Sequence, residues 1–178
     1  MKKIRNWSIA GGVFTSVAGG LLHFVYGWLG GGLWAAVGAV NESTWEHLKL
    51  LFWPVIVFGL IEYLFYGRKT AGFIPVKVIS ALLGMAVIVT VFYTYQGILG
   101  YHVAAVDISL FFLGTAAAYW FSCKRLTELP SKGVYRSPFA ATCFGAAAAA
   151  LAILFILFTY SPPQIGLFQD PVTGGYGL

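Results

Sequence analysis

Of the histidines and acids in this 178-residue chain, seven are candidates to hold an ion or move a proton together: His23, Glu42, Glu46, His47, His102, Asp107 and Asp170. Imidazole nitrogen and carboxylate oxygen are the ligands zinc takes, and a catalytic zinc keeps three protein ligands and one open position. The metal-ligand candidates are His23, Glu46, His47, His102, Asp107 and Asp170, with a divalent ion, zinc first, as the expected cofactor. Glu42, His47 and Asp107 are the candidate catalytic acids and bases. A metal among them would lower the pKa of a bound water and generate a hydrolytic nucleophile. No His-Glu-x-x-His motif and no histidine pair at i,i+4 is present, so the signal is convergence across the chain and not a local spacing. A metal-free variant would pair Ser43 with His47, which share a helical face at i,i+4.

Five apolar runs must position these residues: Ile9–Trp28, Leu48–Tyr66, Val76–Leu99, Val106–Phe121 and Phe139–Tyr160. Each is about as long as a helix needs to cross a hydrocarbon core of roughly 30 Å. Hydrophobic residues make up 59% of the chain and charged residues 10%, which excludes an ordinary soluble domain. The expectation is an all-α bundle of five transmembrane helices forming a single domain over residues 1–178. With the amino terminus inside and the runs alternating, Lys2, Lys3, Arg5, Arg68, Lys69, Lys77, Lys124, Arg125, Lys132 and Arg136 all face the cytoplasm, and only Lys49 faces out. That positive-inside division predicts an N-in, C-out multi-pass protein of a cell membrane, the bacterial inner membrane above all. The net charge of +5 then serves topology and contact with anionic lipid headgroups, not nucleic acid, and membrane lipids are the expected partners. All three histidines and four of the six acids fall on the outer side, where they are expected to converge.

The basic start followed by an apolar stretch has the outline of a secretory signal. His23 and the glycines give that stretch the character of a packed helix, so its retention is expected. Gly11, Thr15 and Gly19 form a small-residue row that continues to His23, and Gly12, Ser16 and Gly20 form a second row beside it. Such rows let another helix approach closely, which points His23 at a neighbour. The piece from Leu33 to Val40 is too short to span and reads as an interfacial or re-entrant segment. Trp28, Trp34, Trp45 and Trp53 near it, with Trp7 and Trp120 at the other boundary, suit an aromatic belt.

Ser43 followed by Glu46 has capping-box spacing and predicts the start of the second helix, with Pro54 as a kink site. Glu62 is expected to pair with Lys77. Asp107, Phe111, Gly114 and Ala118 share a face, which turns the acid inward, and Ala141, Gly145 and Ala149 form a further close-contact row. Cys123 and Cys143 are too few for a disulfide framework and are expected to serve packing. The tail from Ser161 carries Ile165, Leu167, Phe168 and Tyr176, and Asp170-Pro171 is a turn start. It is expected to be an ordered outer cap, with Asp170 directed at the cluster.

The string Asn-Glu-Ser-Thr-Trp-Glu-His-Leu-Lys-Leu-Leu-Phe from Asn41, with Pro162-Pro163 and Asp-Pro-x-Thr-Gly-x-Tyr-Gly from Asp170, resembles a family of small bacterial integral membrane proteins of unknown function. The resemblance spans nearly the whole chain and implies a polytopic bacterial membrane protein, with no activity attached. Three function classes follow from the residues. The first is a metal-dependent hydrolase or transferase acting on an outer-leaflet lipid or lipid-linked substrate. The second is a small transporter, although transport sites usually lie at the midplane between repeats. The third is a non-catalytic binding or sensing module.

Overall fold

Residues 2–128 and 134–178 are described by the structure, a computed structural model. Lys132 and part of the Lys124–Ser137 connection lie outside the described residues. Leucine-, alanine- and phenylalanine-rich runs in a medium without water must satisfy their own backbone, and helices do so. The elements are α1 (Lys2–Leu29), α2 (Gly31–Val37), α3 (Thr44–Phe65), α4 (Phe73–Leu99), α5 (Ala104–Glu128) and α6 (Pro138–Tyr160). All but α2 are long and apolar enough to cross a membrane. The described residues contain no strand beyond one bridge between Gln169 and Tyr176.

The helix α3 sits at the centre, touching every other helix, while α4 packs most extensively on α5. Small residues set the two closest approaches. A Cβ on Gly84 of α4 would lie 2.7 Å from the Gly114 carbonyl of α5, and the reverse holds for Gly114. A Cβ on Gly19 of α1 would lie 2.5 Å from the carbonyl of Leu50 in α3. That carbonyl has no N–H to accept at i+4, because Pro54 occupies the position. Gly19 thus fits where α3 has an unfilled rung.

Of the two small-residue rows on α1, one packs as expected: Gly11, Thr15 and Gly19 are buried, with Ser8. The row of Gly12, Ser16 and Gly20 meets no helix closely, and around Gly20 nothing lies within 4 Å of a Cβ position. The row on α6 also fails to make a close contact. Gly145 has open space around it, and the helix buries only Ala140, Phe155 and Thr159. Cys143 is exposed, so packing is not its role, whereas Cys123 is half-buried.

At the basic end of the bundle, Tyr66, Phe73, Val76 and Leu126 form a core flanked by Ile4 and Trp7. The expected Glu62–Lys77 ion pair is present there, both residues buried. Tyr66 Oη donates to the second Glu62 oxygen at 2.8 Å. At the opposite end, the histidine end, the tail docks on the bundle. Phe168 is buried against Trp45 and Phe158, with ring centroids 4.8 and 5.3 Å apart. Trp45 is therefore a core residue and no part of a belt, whereas Trp28 and Trp120 are exposed.

The short α2 shows how the histidine end is fastened. A seven-residue helix is marginal alone, and its last carbonyls need partners. Trp34 O accepts from Gly38 N at 2.8 Å, Ala35 O from Lys49 Nζ at 2.8 Å, and Ala36 O from Trp53 Nε1 at 3.2 Å. Two of those donors sit one turn apart on α3.

Candidate functional site

The chain reaches α3 through Val40–Ser43. Ser43 Oγ accepts from Glu46 N at 3.3 Å and caps the helix. Glu46 does not return the contact as a capping box would. Its carboxylate takes the Val40 N–H at 3.0 Å, and Asn41 Oδ1 takes the Ser43 N–H at 2.9 Å. Asn41 Nδ2 in turn donates to Gly177 O at 3.0 Å, tying the tail to this loop. Glu42 is left outside the helix, about half exposed, with its carboxylate free to meet a neighbour.

That neighbour is a pair of histidines. His47 Nε2 lies 3.4 Å from Glu42 Oε2 and 3.3 Å from His23 Nε2, and His23 Nε2 lies 3.8 Å from Glu42 Oε2. His47 Nδ1 donates to the Ser43 carbonyl at 2.9 Å, so neutral His47 carries its lone pair on Nε2. Two imidazole nitrogens and a carboxylate oxygen thus converge, and such a group needs a proton or a cation between them. In a tetrahedral zinc site with bonds of 2.0–2.1 Å, neighbouring ligand atoms stand about 3.3–3.4 Å apart. Two of the three separations here match that edge. The hydrogen bond with His47 holds the Glu42 carboxyl below the usual carboxylate range, against partial burial, which pushes it up. Charge from His47 and then His23 adds to the lowering.

A second polar group forms where α4 hands over to α5. His102 Nδ1 donates to Asp107 Oδ2 at 3.2 Å, and Tyr95 Oη donates to Asp107 Oδ1. The Val103 N–H donates to Tyr95 Oη at 3.2 Å and fixes the ring. With Nδ1 engaged, His102 Nε2 is the basic nitrogen. Both groups line one cavity of about 510 Å³ whose apolar walls include Leu50, Ile88, Phe92, Phe111 and Phe112. His23, Glu42, His47, His102 and Asp107 are thereby brought to one space.

Two expected ligands are not. Glu46 is buried, with Lys49 Nζ 2.5 Å from one carboxylate oxygen and Thr159 Oγ1 3.1 Å from the other. Its oxygens are committed, and it does not line the cavity. Asp170 closes its own turn: Oδ1 accepts from Val172 N at 3.0 Å and Oδ2 from Thr173 Oγ1 at 2.7 Å. The two residues after it, Pro171 and Val172, reach the cavity in its place. Both corrections have the same physical cause: a buried carboxylate takes the nearest donors in reach, which lie in its own turn for Asp170 and include Thr159 of α6 for Glu46. Ser43 Oγ is engaged as the helix cap. Tyr95 and Thr159 were not anticipated. Each lies near the end of an apolar run, at the end of the bundle where the acids gather.

Residues 1–178 match a family of unknown function (DUF6512) over their whole length. The chain belongs to that family. A search of curated proteins and a search of solved structures each found no match. The resemblance drawn from the Asn41–Phe52 string thus meets a family match, and the site has to be read from its own geometry.

Proposed function

We propose that this protein binds one divalent metal ion, zinc by its ligand chemistry, through His23, Glu42 and His47. It would use the ion to hydrolyse, or transfer a group from, a lipid or lipid-linked substrate at the outer face of a cell membrane. One observation carries the reading: three electron-rich atoms stand at separations of 3.3, 3.4 and 3.8 Å at the polar end of an apolar cavity. Zinc would leave a fourth position for water and bring the pKa of that water to about 7. His102, oriented by Asp107 and lining the same cavity, would serve as the base for the proton of that water, which would make Asp107 a positioning residue. Glu42, first read as a catalytic acid or base, is better used as a ligand.

The test is a metal count on the purified full-length protein, beside His23→Ala and His47→Ala. One zinc per chain, lost in both variants, supports the reading. A metal-free wild type loaded with no ion at micromolar zinc would end it. Stoichiometric zinc with no turnover of any membrane lipid would leave a binding or sensing module. The outward placement is tested separately by thiol labelling of single cysteines at Arg136 and Gly175, which should lie on opposite sides.

A further inference from the structure

The unpacked row on α1 has a consequence beyond the metal. Gly12 and Ser16 line a shallow, open groove of about 360 Å³, bounded on the other side by Phe112, Thr115 and Ala116 of α5. Gly20 and Phe112 also line the cavity that holds the histidines. The two spaces therefore share the Phe112 wall and follow one α1–α5 seam, from the polar end towards the bundle's middle. Residues beside the seam, among them Val13, Val17, Phe24 and Phe112, are exposed on helices long and apolar enough to span. In a bilayer this seam opens sideways to hydrocarbon and not to water. Thr115, at the floor of the seam, is buried and carries a hydroxyl without a partner among the described residues.

We propose that the seam binds one hydrocarbon chain of a membrane lipid, whose polar head then lies among His23, Glu42, His47 and His102. The occupant is identified by the shape of the chemistry: ionisable groups at one end, apolar wall along the rest, and lateral access from the bilayer. A second copy of the chain could cover the apolar part but would bring no head group to the polar end. The lipid enters sideways between α1 and α5, and any second chain stays in the bilayer. Only the role of the head group rests on the proposed metal site; the chain site does not.

The experiment uses the full chain in nanodiscs of phosphatidylethanolamine and phosphatidylglycerol. These are doped with phosphatidylethanolamine bearing a photoreactive diazirine midway along one acyl chain. Label should concentrate on peptides from α1 and α5 around Gly12–Gly20 and Phe112–Ala116, well above the exposed α6 face at Ile153 and Leu157. Gly20→Leu and Gly12→Leu plug the seam. A Cβ at position 20 enters open space, and one at position 12 meets only the Tyr119 ring, no closer than 3.9 Å, so both side chains start without a clash; thermal unfolding of each variant checks that the fold is kept. Each should remove most of the seam label while zinc content stays at the wild-type level. Label spread evenly round the bundle, or unchanged in both variants, overturns the proposal. Cross-links between two copies through α1 overturn it in favour of a dimer. Seam label in a protein that holds no zinc keeps the chain site and removes the metal reading alone.

Discussion

Two acids four residues apart, Glu42 and Glu46, meet opposite fates. Glu46 enters a closed network in which Lys49, Thr159 and the Val40 N–H satisfy its oxygens, and Lys49 is 0% exposed. Glu42 stands before the helix cap, half exposed, facing two imidazoles whose Nε2 atoms also meet each other at 3.3 Å. The first arrangement has saturated donors and acceptors and no room for a ligand. The second has an excess of lone pairs and a cavity in front of it. Saturation marks the Glu46 cluster as structural, and imbalance is what the proposed metal site rests on.

Substitutions can break this contrast, and the largest effect belongs to the closed network. Lys49→Met leaves the Glu46 carboxylate buried without its cation, which should cost about 3–5 kcal/mol in unfolding measurements. The pair Glu46→Gln with Lys49→Met should recover most of that loss. If Lys49→Met were neutral, the network would not fasten α2 and α6 to α3.

Next comes Gly19→Ala. Its methyl would meet the Leu50 carbonyl at 2.5 Å and the Phe111 ring at the same distance. Overpacking of this kind costs about 1–3 kcal/mol. Because His23 lies one turn on, zinc affinity should fall as well, whereas Gly20→Ala should change neither. Thermal unfolding and zinc titration on the same preparations separate the two effects.

His47→Ala should reverse the pattern of Lys49→Met: stability within about 1 kcal/mol of wild type, as for a partly exposed side chain, with zinc lost. A large loss of stability with zinc retained would exchange the roles of the two clusters.

The smallest effect is an acid-side one in metal-free protein. The folded-state pKa of Glu42 is lowered, chiefly by the hydrogen bond with His47. Its contribution to stability is therefore complete above the unfolded value, about 4.3 for glutamate, and fades as pH falls through the lowered folded value. Glu42→Gln should flatten that part of the acid-unfolding curve and leave the neutral-pH plateau in place. An unchanged curve would show that Glu42 and His47 do not interact in solution.

How much of this was legible in the sequence depended on periodicity. The five spans, the buried row ending at His23, the Glu62–Lys77 pair and the docking of Phe168 all follow from residue spacing or composition. Glu42 and Glu46 could not be separated that way. Glu42 precedes the helix, and its direction is set by a loop tied through Asn41 to Gly177, more than a hundred residues away. Asp170 was misplaced for a simpler reason. The Asp-Pro turn signal was read correctly, but the turn itself uses both carboxylate oxygens. The second row on α1 looked the same as the first, because nothing in a glycine's spacing says whether a helix or a lipid will fill the space.

Pro54 has a mechanical consequence. The rung it leaves unfilled at Leu50 is the natural pivot of α3, and Gly19 rests on that pivot. His47 and His23 each lie only about one turn, roughly 5.4 Å, from it. If the upper part of α3 flexes, α1 is held at the fulcrum and the two imidazoles travel on short lever arms. Their spacing is then insulated from bending elsewhere in the helix. His102 and Asp107 ride on the α4–α5 hairpin, which is joined along a different line at Gly84 and Gly114. The distance that flexing would change most is the gap between the two polar groups, across which a substrate would have to reach.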